Sequence, residues 1–364
     1  MDLKSHQPHT VDWIDLAKGI CILLVVYHHC VQNTYLLPTA SLGHTESLFI
    51  NIYETLRVKL VPLRMPLFFM ISGFLVYRAT TTYSWNNVFY KRIQTIFYVY
   101  LLWGAIQFIF LYFFQNFTTL EETQETAIVS NYATSLLEYS KLIAIGSSSL
   151  WYLYALPIYF VICKLLSKTP FICIGIFLTI NLASDYYHLD FPTSSIARNG
   201  IFYAIGCFLG PVIFPLVNKL NYNAFIYIFG VIAFKIALTL INVDHFIINT
   251  LLVVTIMILF LNWFQKNWDI PLLRWIGRRT LSIYIIHYII LKFIAYFIIP
   301  YMMAAGFFNN DQFVLAWYTS YPLIGTFLAT SISLLIWKLT NRGYGRYLYA
   351  SPEYARTSSR GALN

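Results

Sequence analysis

The chain has 364 residues, of which 59% are hydrophobic and 11% charged, with a mean hydropathy of +0.63 and a formal net charge of +9. Soluble domains carry about 25% charged residues, so this composition excludes an ordinary soluble protein and indicates one that crosses a membrane several times. The apolar runs are continuous, whereas the strands of a membrane barrel would alternate between polar and apolar residues. The basic residues lie between these runs, which favours a role in membrane orientation over nucleic-acid binding.

Ten apolar segments are long enough to be predicted as membrane-spanning helices. The chain is therefore expected to form an all-α bundle, a single domain over residues 1–364 with short tails at about 1–12 and 339–364. Prolines inside the spans, such as Pro157 and Pro211, predict kinks that neighbouring helices accommodate. The predicted spans are 13–33, 60–77, 93–115, 149–166, 170–187, 199–217, 224–241, 246–264, 281–299 and 319–338.

Lysine and arginine are distributed unevenly between the two sides that these spans create. With the N-terminus in the cytoplasm, seventeen of them fall in the inner segments and five in the outer segments. Because cytoplasmic segments are enriched in these residues, both termini are predicted to be cytoplasmic. The longest connection, 116–148, is then external, and it is interpreted either as a functional loop or as a solvated cover. A second external connection, 34–59, contains an amphipathic stretch near Ser47–Val58 that could lie along the membrane interface.

The first span, with the sequence VDWIDLAKGICILLVVYHHC, contains the most informative ionisable residues. Lys18 and His29 are eleven residues apart, so on a helix they share one face at an axial separation of about 16 Å. Asp15, one turn before Lys18, falls near the same stripe. Ionisable groups within a membrane are costly and often functional, so His29 is interpreted as a functional residue, while Lys18 is either functional or extended toward the headgroups. His28, about 100° around the helix, is expected to face elsewhere.

Two later stretches have both a structural and a functional interpretation. In MPLFFMISGF, Ser72 and Gly73 favour close helix packing, with substrate contact as the second possibility. In SLWYLYALPIYF, Trp151 belongs either to an ordinary aromatic belt at the membrane surface or to a stacking surface for a sugar.

The ninth span begins with RWIGRRTLSIYIIHYIIL, which places a pair of arginines at the inner mouth and His287 about two turns further in. Arginine presents a fork of donors that suits phosphates. A phosphate-rich ligand that enters from the cytoplasm would meet these arginines, and a thioester or similar group at its tip could reach the histidines. The positive-inside rule alone would also explain the basic residues. They are Lys18, Arg92, Arg278 and Arg279.

The five cysteines lie in or beside apolar runs, their number is odd, and no Cys-x-x-Cys pair occurs. We expect free thiols that pack as small hydrophobic side chains, and we predict neither a disulfide framework nor a metal site.

Four segments, in this order, resemble the integral-membrane acyltransferase 3 family, whose polytopic enzymes O-acetylate polysaccharides and other acceptors. They are DLAKGICILLVVYHH, MPLFFMISGFL, SLWYLYAL and RRTLSIYIIH. The resemblance implies that Lys18 and His29 are essential for transfer. It also implies that Arg92 belongs to a basic motif before the third span, and that His287 matches a histidine near the end of the bundle.

The chain departs from the family pattern at three positions. Many members have arginine where this chain has Lys18, a second arginine where it has Thr95, and a proline near Phe97. Lysine in the first motif places the chain nearer the branch of sugar O-acetylases that use lysine there. The threonine weakens the case for a two-arginine site in the third span.

The residues and the resemblance together predict an O-acetyltransferase of the bacterial inner membrane. Acetyl-CoA is the expected donor, with no permanently bound cofactor, and the expected acceptor is a hydroxyl of a cell-surface glycan or of its lipid-linked precursor. The predicted catalytic residues are His29, Lys18 and His287, the donor-binding residues are Lys18, Arg92, Arg278 and Arg279, and the acceptor-binding residues are Asp15, Ser72 and Trp151. Membrane lipid is the other expected partner, and nucleic acid is not expected. The alternatives are a multi-span transporter or flippase of a sugar or lipid-linked glycan, and an assembly subunit without activity.

Overall fold

The computed structural model describes residues 12–38, 43–114, 129–220, 224–242 and 245–352. Every regular element within these ranges is helical, so the predicted all-α class is confirmed. The first helices are α1 (Asp12–Cys30), α2 (His44–Lys59), α3 (Val61–Leu75), α4 (Tyr77–Thr81), α5 (Trp85–Phe89), α6 (Thr95–Phe114), α7 (Leu136–Ala144) and α8 (Trp151–Leu165). They are followed by α9 (Pro170–Tyr186), α10 (Thr193–Phe208), α11 (Gly210–Lys219), α12 (Ala224–Leu240), α13 (Phe246–Asn267), α14 (Pro271–Gly277), α15 (Thr280–Phe293), α16 (Ile299–Ala304) and α17 (Asp311–Thr340).

Shorter turns of other helical types interrupt or extend these helices. Within the described ranges, three of them are π-helical, namely Val31–Tyr35 after α1, Tyr90–Gln94 before α6 and Ile294–Ile298 after α15. Three more are 3₁₀ turns, at Ser130–Tyr132, Phe307–Asn309 and Gly343–Leu348.

Six helical segments of the described chain are long and apolar enough to cross a membrane. A seventh candidate is the pair α10 and α11, which passes the same test as a unit but is bent by 67°. The other three predicted spans coincide with α8, α9 and α12, which have 15, 17 and 17 residues. Since a span needs about 17–25 residues, the total of ten crossings stays a prediction, as does the sidedness of the termini.

The bend between α10 and α11 has an identifiable cause. Pro211 lies in the first turn of α11, where its ring prevents the helix of α10 from continuing through it. The kink that the sequence predicts at Pro211 is therefore present. Pro157, by contrast, lies inside α8 without interrupting the helix assignment.

Helix α1 lies at the centre of the bundle, where it packs against α3, α13, α14, α15 and α17. Its closest neighbour is α14, because glycines meet where the two helices cross. A Cβ atom on Gly277 would overlap the carbonyl oxygen of Asp15, and one on Gly19 would overlap the carbonyl oxygen of Leu273. Only residues without a side chain allow backbones to approach so closely.

Hydrogen bonds from ring side chains fasten α17 to the turn that follows α1 and to α2. The Tyr35 hydroxyl donates to the carbonyl of Tyr318 at 2.8 Å, and the Tyr53 hydroxyl donates to the carbonyl of Thr319 at 2.6 Å. In return, Trp317 Nε1 donates to the carbonyl of Tyr35 at 3.2 Å. These bonds hold the π-helical turn that follows α1 in a fixed position.

The described part of the C-terminal tail packs against the bundle. After α17 the chain turns back toward α6, where Trp103 Nε1 donates to the carbonyl of Leu348 at 2.7 Å. The hydroxyls of Thr95 and Ser351 are 2.7 Å apart. The position at which many relatives have a second arginine is thus a buried threonine that anchors the tail.

We expect Gly277→Ala to destabilise the protein, because the new methyl group would force α1 and α14 apart. Overpacking of this kind typically lowers stability by about 1–3 kcal/mol. All five cysteines are buried and free, as the sequence predicts, so a thiol-reactive fluorophore reports unfolding during a thermal ramp. Gly175→Ala is the matched control, since nothing lies within 4 Å of the corresponding Cβ position on α9. Equal midpoints for the two variants would contradict the close crossing.

The predicted sidedness can be tested with exposed lysines at the two faces. Lys141 on α7 belongs to a predicted external segment, and Lys168 between α8 and α9 to a predicted internal one. In intact cells a membrane-impermeant maleimide should label Lys141→Cys but should label Lys168→Cys only after the membrane is opened. The wild-type chain, with buried cysteines, gives the background. The reverse pattern would invert the topology.

Candidate active site

A cavity of about 590 Å³ lies beside the C-terminal end of α1. Its volume is that of an ordinary small-ligand pocket. The side chains most relevant to binding or chemistry in its wall are His28, His29, Arg64, Tyr132, Ser149, Trp151, Tyr284 and Tyr288. The wall also includes Arg198, which the predicted topology places on the outer side together with Arg64.

The two histidines that the sequence singles out lie next to each other. The ring of His29 on α1 is 5.3 Å from the ring of His287 on α15, measured between centroids, and 5.5 Å from that of Tyr288. His29 lines the cavity, whereas His287 is only 2% exposed and lies outside the cavity wall. A ligand in the cavity would therefore meet His29 directly and His287 only through it.

His28 also lines the cavity, contrary to the prediction that it faces elsewhere. Its ring is 4.9 Å from that of His29. Successive side chains on a helix point about 100° apart. The cavity extends far enough around the end of α1 to include both His28 and His29. The helical wheel gives the direction of a side chain but not the width of the space that it faces.

Hydrogen bonding indicates which nitrogen of His287 carries a proton. Its Nδ1 is 2.9 Å from the carbonyl oxygen of Ile283, one turn earlier on α15. A carbonyl can only accept, so Nδ1 is the donor and Nε2 carries the lone pair. Within the described residues, His287 Nε2 and His29 Nδ1 are buried and have no hydrogen-bond partner. The same holds for His28 Nδ1. Buried polar atoms are rarely left unpaired, so these nitrogens are candidates for proton transfer.

The helix changes type directly after the histidine pair. The π-helical turn Val31–Tyr35 begins two residues after His29. Asn33 Nδ2 donates to the carbonyl of His29 at 2.9 Å, and Thr34 Oγ1 donates to that of Cys30 at 2.6 Å. Single π turns inside helices are frequent at functional sites. Arg92 lies in the second such turn, Tyr90–Gln94.

A network of polar side chains, which was not predicted from the sequence, lies at and behind the cavity wall. Gln107 on α6 accepts from Asn131 Nδ2 at 2.9 Å and from Ser149 Oγ at 2.6 Å. The carbonyl of Ser149 in turn accepts from the hydroxyl of Tyr284 at 3.0 Å. The network connects α6, the 3₁₀ turn and the start of α8 to the helix that carries His287. A glutamine inside an apolar span was the available signal, because polar residues there usually bond to neighbouring helices.

The connection 116–148 contributes to the site. Val129 and Tyr132 line the cavity, and the Tyr132 hydroxyl is 2.9 Å from that of Tyr288. Of the two interpretations given above, a purely solvated cover is therefore wrong for residues 129–132. The acidic part near Glu121, Glu122 and Glu125 lies outside the described residues.

A second cluster lies at the other end of α1, at its crossing with α14. The carboxylate of Asp15 accepts from Lys18 Nζ at 2.9 Å and from Arg278 Nε at 2.8 Å. Asp15 therefore positions two of the predicted donor-binding cations. Arg278 is 65% exposed and accessible to a ligand, whereas Lys18 is largely covered. None of the three lines the cavity.

Arg279 is held separately by aromatic side chains. Its guanidinium carbon is 4.3 Å from the ring centre of Trp275 and 5.1 Å from that of Trp337, and Nη1 donates to the Trp275 carbonyl at 3.0 Å. Stacking of this kind orients an arginine and stabilises the surrounding structure.

The predicted acceptor-binding residues have separate positions. Trp151 lines the cavity. Ser72 does not line it. Its hydroxyl is 2.6 Å from that of Tyr152, which ties α3 to α8. A Cβ on the adjacent Gly73 would overlap the carbonyl oxygen of Tyr203 on α10, which agrees with the packing interpretation of this motif. Asp15 lies at the opposite end of α1.

A family model described as an acyltransferase domain, that of the acyltransferase 3 family, matches residues 11–340. The chain belongs to this family. All four segments that carry the resemblance fall within the matched range, so the predicted family is confirmed. The chain is also 29% identical to the inner membrane protein YcfT of Escherichia coli (strain K12). The 343 aligned residues cover 93% of this chain and 96% of that protein. No solved structure matches. The family match supports an acyltransferase role. The relative and the apolar helices support an integral membrane location.

Proposed function

We propose that this protein is an O-acyltransferase of the bacterial inner membrane, which transfers acetyl from cytoplasmic acetyl-CoA to a hydroxyl of a cell-surface glycan or its lipid-linked precursor. The observation that carries the proposal is that His29, in the wall of a ligand-sized cavity, lies against the buried His287, with the two ring centroids 5.3 Å apart. Family membership supports the class of reaction. His29 in the cavity wall and the buried His287 beside it supply the proton acceptor that acyl transfer to a hydroxyl requires.

The cluster around Asp15 is the proposed entry point of the donor. Coenzyme A carries several phosphates, and an exposed arginine fork is the side chain best suited to bind them. Arg278 is exposed and is oriented by Asp15, while Arg92 and Arg279 add positive charge on the same predicted side. Lys18 hydrogen-bonds to Asp15, so its role in this proposal is to fix the carboxylate that positions Arg278.

The cavity is the proposed acceptor site. Trp151, Tyr284 and Tyr288 contribute aromatic surface to its wall, and such surface packs against the apolar faces of sugar rings. Ser72 and Asp15 lie outside the cavity wall, so the proposal assigns Ser72 to helix packing and Asp15 to the donor side.

His29 is the proposed catalytic residue. In direct transfer, its neutral imidazole accepts the proton of the acceptor hydroxyl while the oxygen attacks the thioester carbonyl. The C–S bond then breaks, and the departing thiolate takes the proton. In a two-step route, a nitrogen of His29 attacks the thioester first, the C–S bond breaks, and the thiolate leaves with the proton of the imidazole. The acceptor hydroxyl then displaces the acyl group and gives its proton to the imidazole. In both routes His287 holds His29 in place and offers Nε2 as a second proton acceptor.

A transporter or flippase is the rival proposal. Both classes fit a helical bundle with an internal cavity, but only the enzyme fits a match to an acyltransferase family over residues 11–340. Membranes that contain the protein should transfer label to glycan from acetyl-CoA that is labelled in its acetyl group. Movement of glycan without transfer of label would favour the transporter.

We predict that His29→Gln abolishes labelled acetyl transfer while the protein still inserts and folds. Glutamine preserves the size and hydrogen bonding but cannot take a proton, and loss of a general base typically lowers the rate by about 10²–10⁴-fold. His28→Gln is the matched control in the same cavity, and it should lose much less activity, because the ring contact with His287 is made by His29. If His29→Gln transferred acetyl at a near-normal rate at equal protein level, His29 would not be the catalytic residue and His287 would be the next candidate.

We predict that Arg278→Ala raises the KM for acetyl-CoA by about tenfold, the range expected when a hydrogen bond to a charged group is lost. Arg278→Lys should raise it less, because a point charge keeps part of the attraction. Arg342→Ala removes an exposed cation on the same predicted side and should leave the KM unchanged. Equal KM values for all these variants would leave Arg278 as a residue of topology and packing only.

A further inference from the structure

We propose that the cavity selects an acceptor with an anionic group, a carboxylate or a phosphate, and that Arg64 binds this group. The inference rests on the proposed function, since it takes the cavity as the acceptor site. It adds the chemical class of the acceptor, which neither the family nor the relative specifies.

Arg64 lies in the first turn of α3 and lines the cavity. Its Nε and Nη1 atoms are buried, and within the described residues neither has a hydrogen-bond partner. Two buried guanidinium nitrogens without partners are unfavourable, because these donors lose hydration and gain nothing in return. The cavity is the space from which a partner can reach this side chain.

Arg64 has no carboxylate within ion-pair distance among the described residues, unlike the nearby cations. Arg57 on α2 is paired with Glu54 at 2.8 Å, and Arg198 in the cavity wall is paired with Asp185 at 2.7 Å. These two guanidinium groups are already neutralised by the protein. Arg64 is a cation of the cavity wall that the protein leaves to a ligand, and an arginine fork binds carboxylate and phosphate with two parallel hydrogen bonds.

The position of Arg64 suits an acceptor better than the reacting thioester. Arg64 lines the same cavity as His28 and His29. The proposed donor cluster lies at the opposite end of α1. An anionic group bound at Arg64 would therefore hold the acceptor in the cavity that His29 lines, with a nearby hydroxyl directed toward the imidazole.

The test measures binding alone and uses the purified full-length protein in lipid nanodiscs. The signal is tryptophan fluorescence, because Trp151 lines the cavity. The probes are methyl glucuronide, glucose 1-phosphate and the neutral methyl glucoside. We expect the wild-type protein to bind at least one anionic probe about tenfold more tightly than the neutral one. A preference for glucuronide assigns an acidic sugar, and a preference for the phosphate assigns a phosphate-linked one.

The preference should disappear in Arg64→Gln and persist in part in Arg64→Lys. The double variant Glu54→Gln/Arg57→Gln removes a neighbouring ion pair without changing the net charge, and it should keep the full preference. Equal binding of charged and neutral probes by the wild-type protein, no binding of either anionic probe, or an undiminished preference in Arg64→Gln would each overturn the proposal.

Binding is measured without a donor, so it is independent of acyl transfer. A charge preference that depends on Arg64, together with no transfer of labelled acetyl, would support the anion site and contradict the proposed reaction. Transfer of label without a charge preference would do the reverse.

Discussion

The close crossing of α1 and α14 determines how the two ends of the candidate site are arranged. Gly19 and Gly277 allow the backbones to touch, and this contact places Asp15 beside Arg278. His29 follows Gly19 by ten residues, and His287 follows Gly277 by the same number. The ten residues after Gly277 do not form one helix, because α14 ends there and α15 begins at Thr280. Helix α15 also packs against α1, and this contact brings the rings of His287 and His29 together.

Much of the architecture could be predicted from the sequence, because each apolar run carries its own signal. The helices, the kink at Pro211, the free cysteines and the family all follow from local patterns. The sequence also identified Lys18, His29 and His287, since ionisable residues stand out in apolar segments. That His29 and His287 are neighbours was not predicted, because periodicity contains no information on which helices pack together.

The remaining parts of the site depend on contacts between distant segments, which a local pattern cannot show. The network of Gln107, Asn131 and Ser149 joins three parts of the chain, and each residue alone is an ordinary polar side chain. The unpaired state of Arg64 is similar, because it depends on which carboxylates the fold brings near. Sequence analysis counted Arg64 only as a basic residue on the outer side. The role proposed for Arg64 rests on two buried guanidinium nitrogens that have no hydrogen-bond partner among the described residues.

The separation of the two clusters restricts the kind of acyl donor that the proposed mechanism can use. The cations lie at one end of α1 and His29 near the other, about 16 Å apart along the helix. A compact donor such as acetyl phosphate carries its charge next to its reactive carbonyl, so it could not meet both clusters at once. Coenzyme A thioesters carry phosphates at one end of a long, flexible arm and the acyl group at the other. The geometry of α1 therefore favours an elongated donor, with its charged end at Arg278 and its thioester at His29.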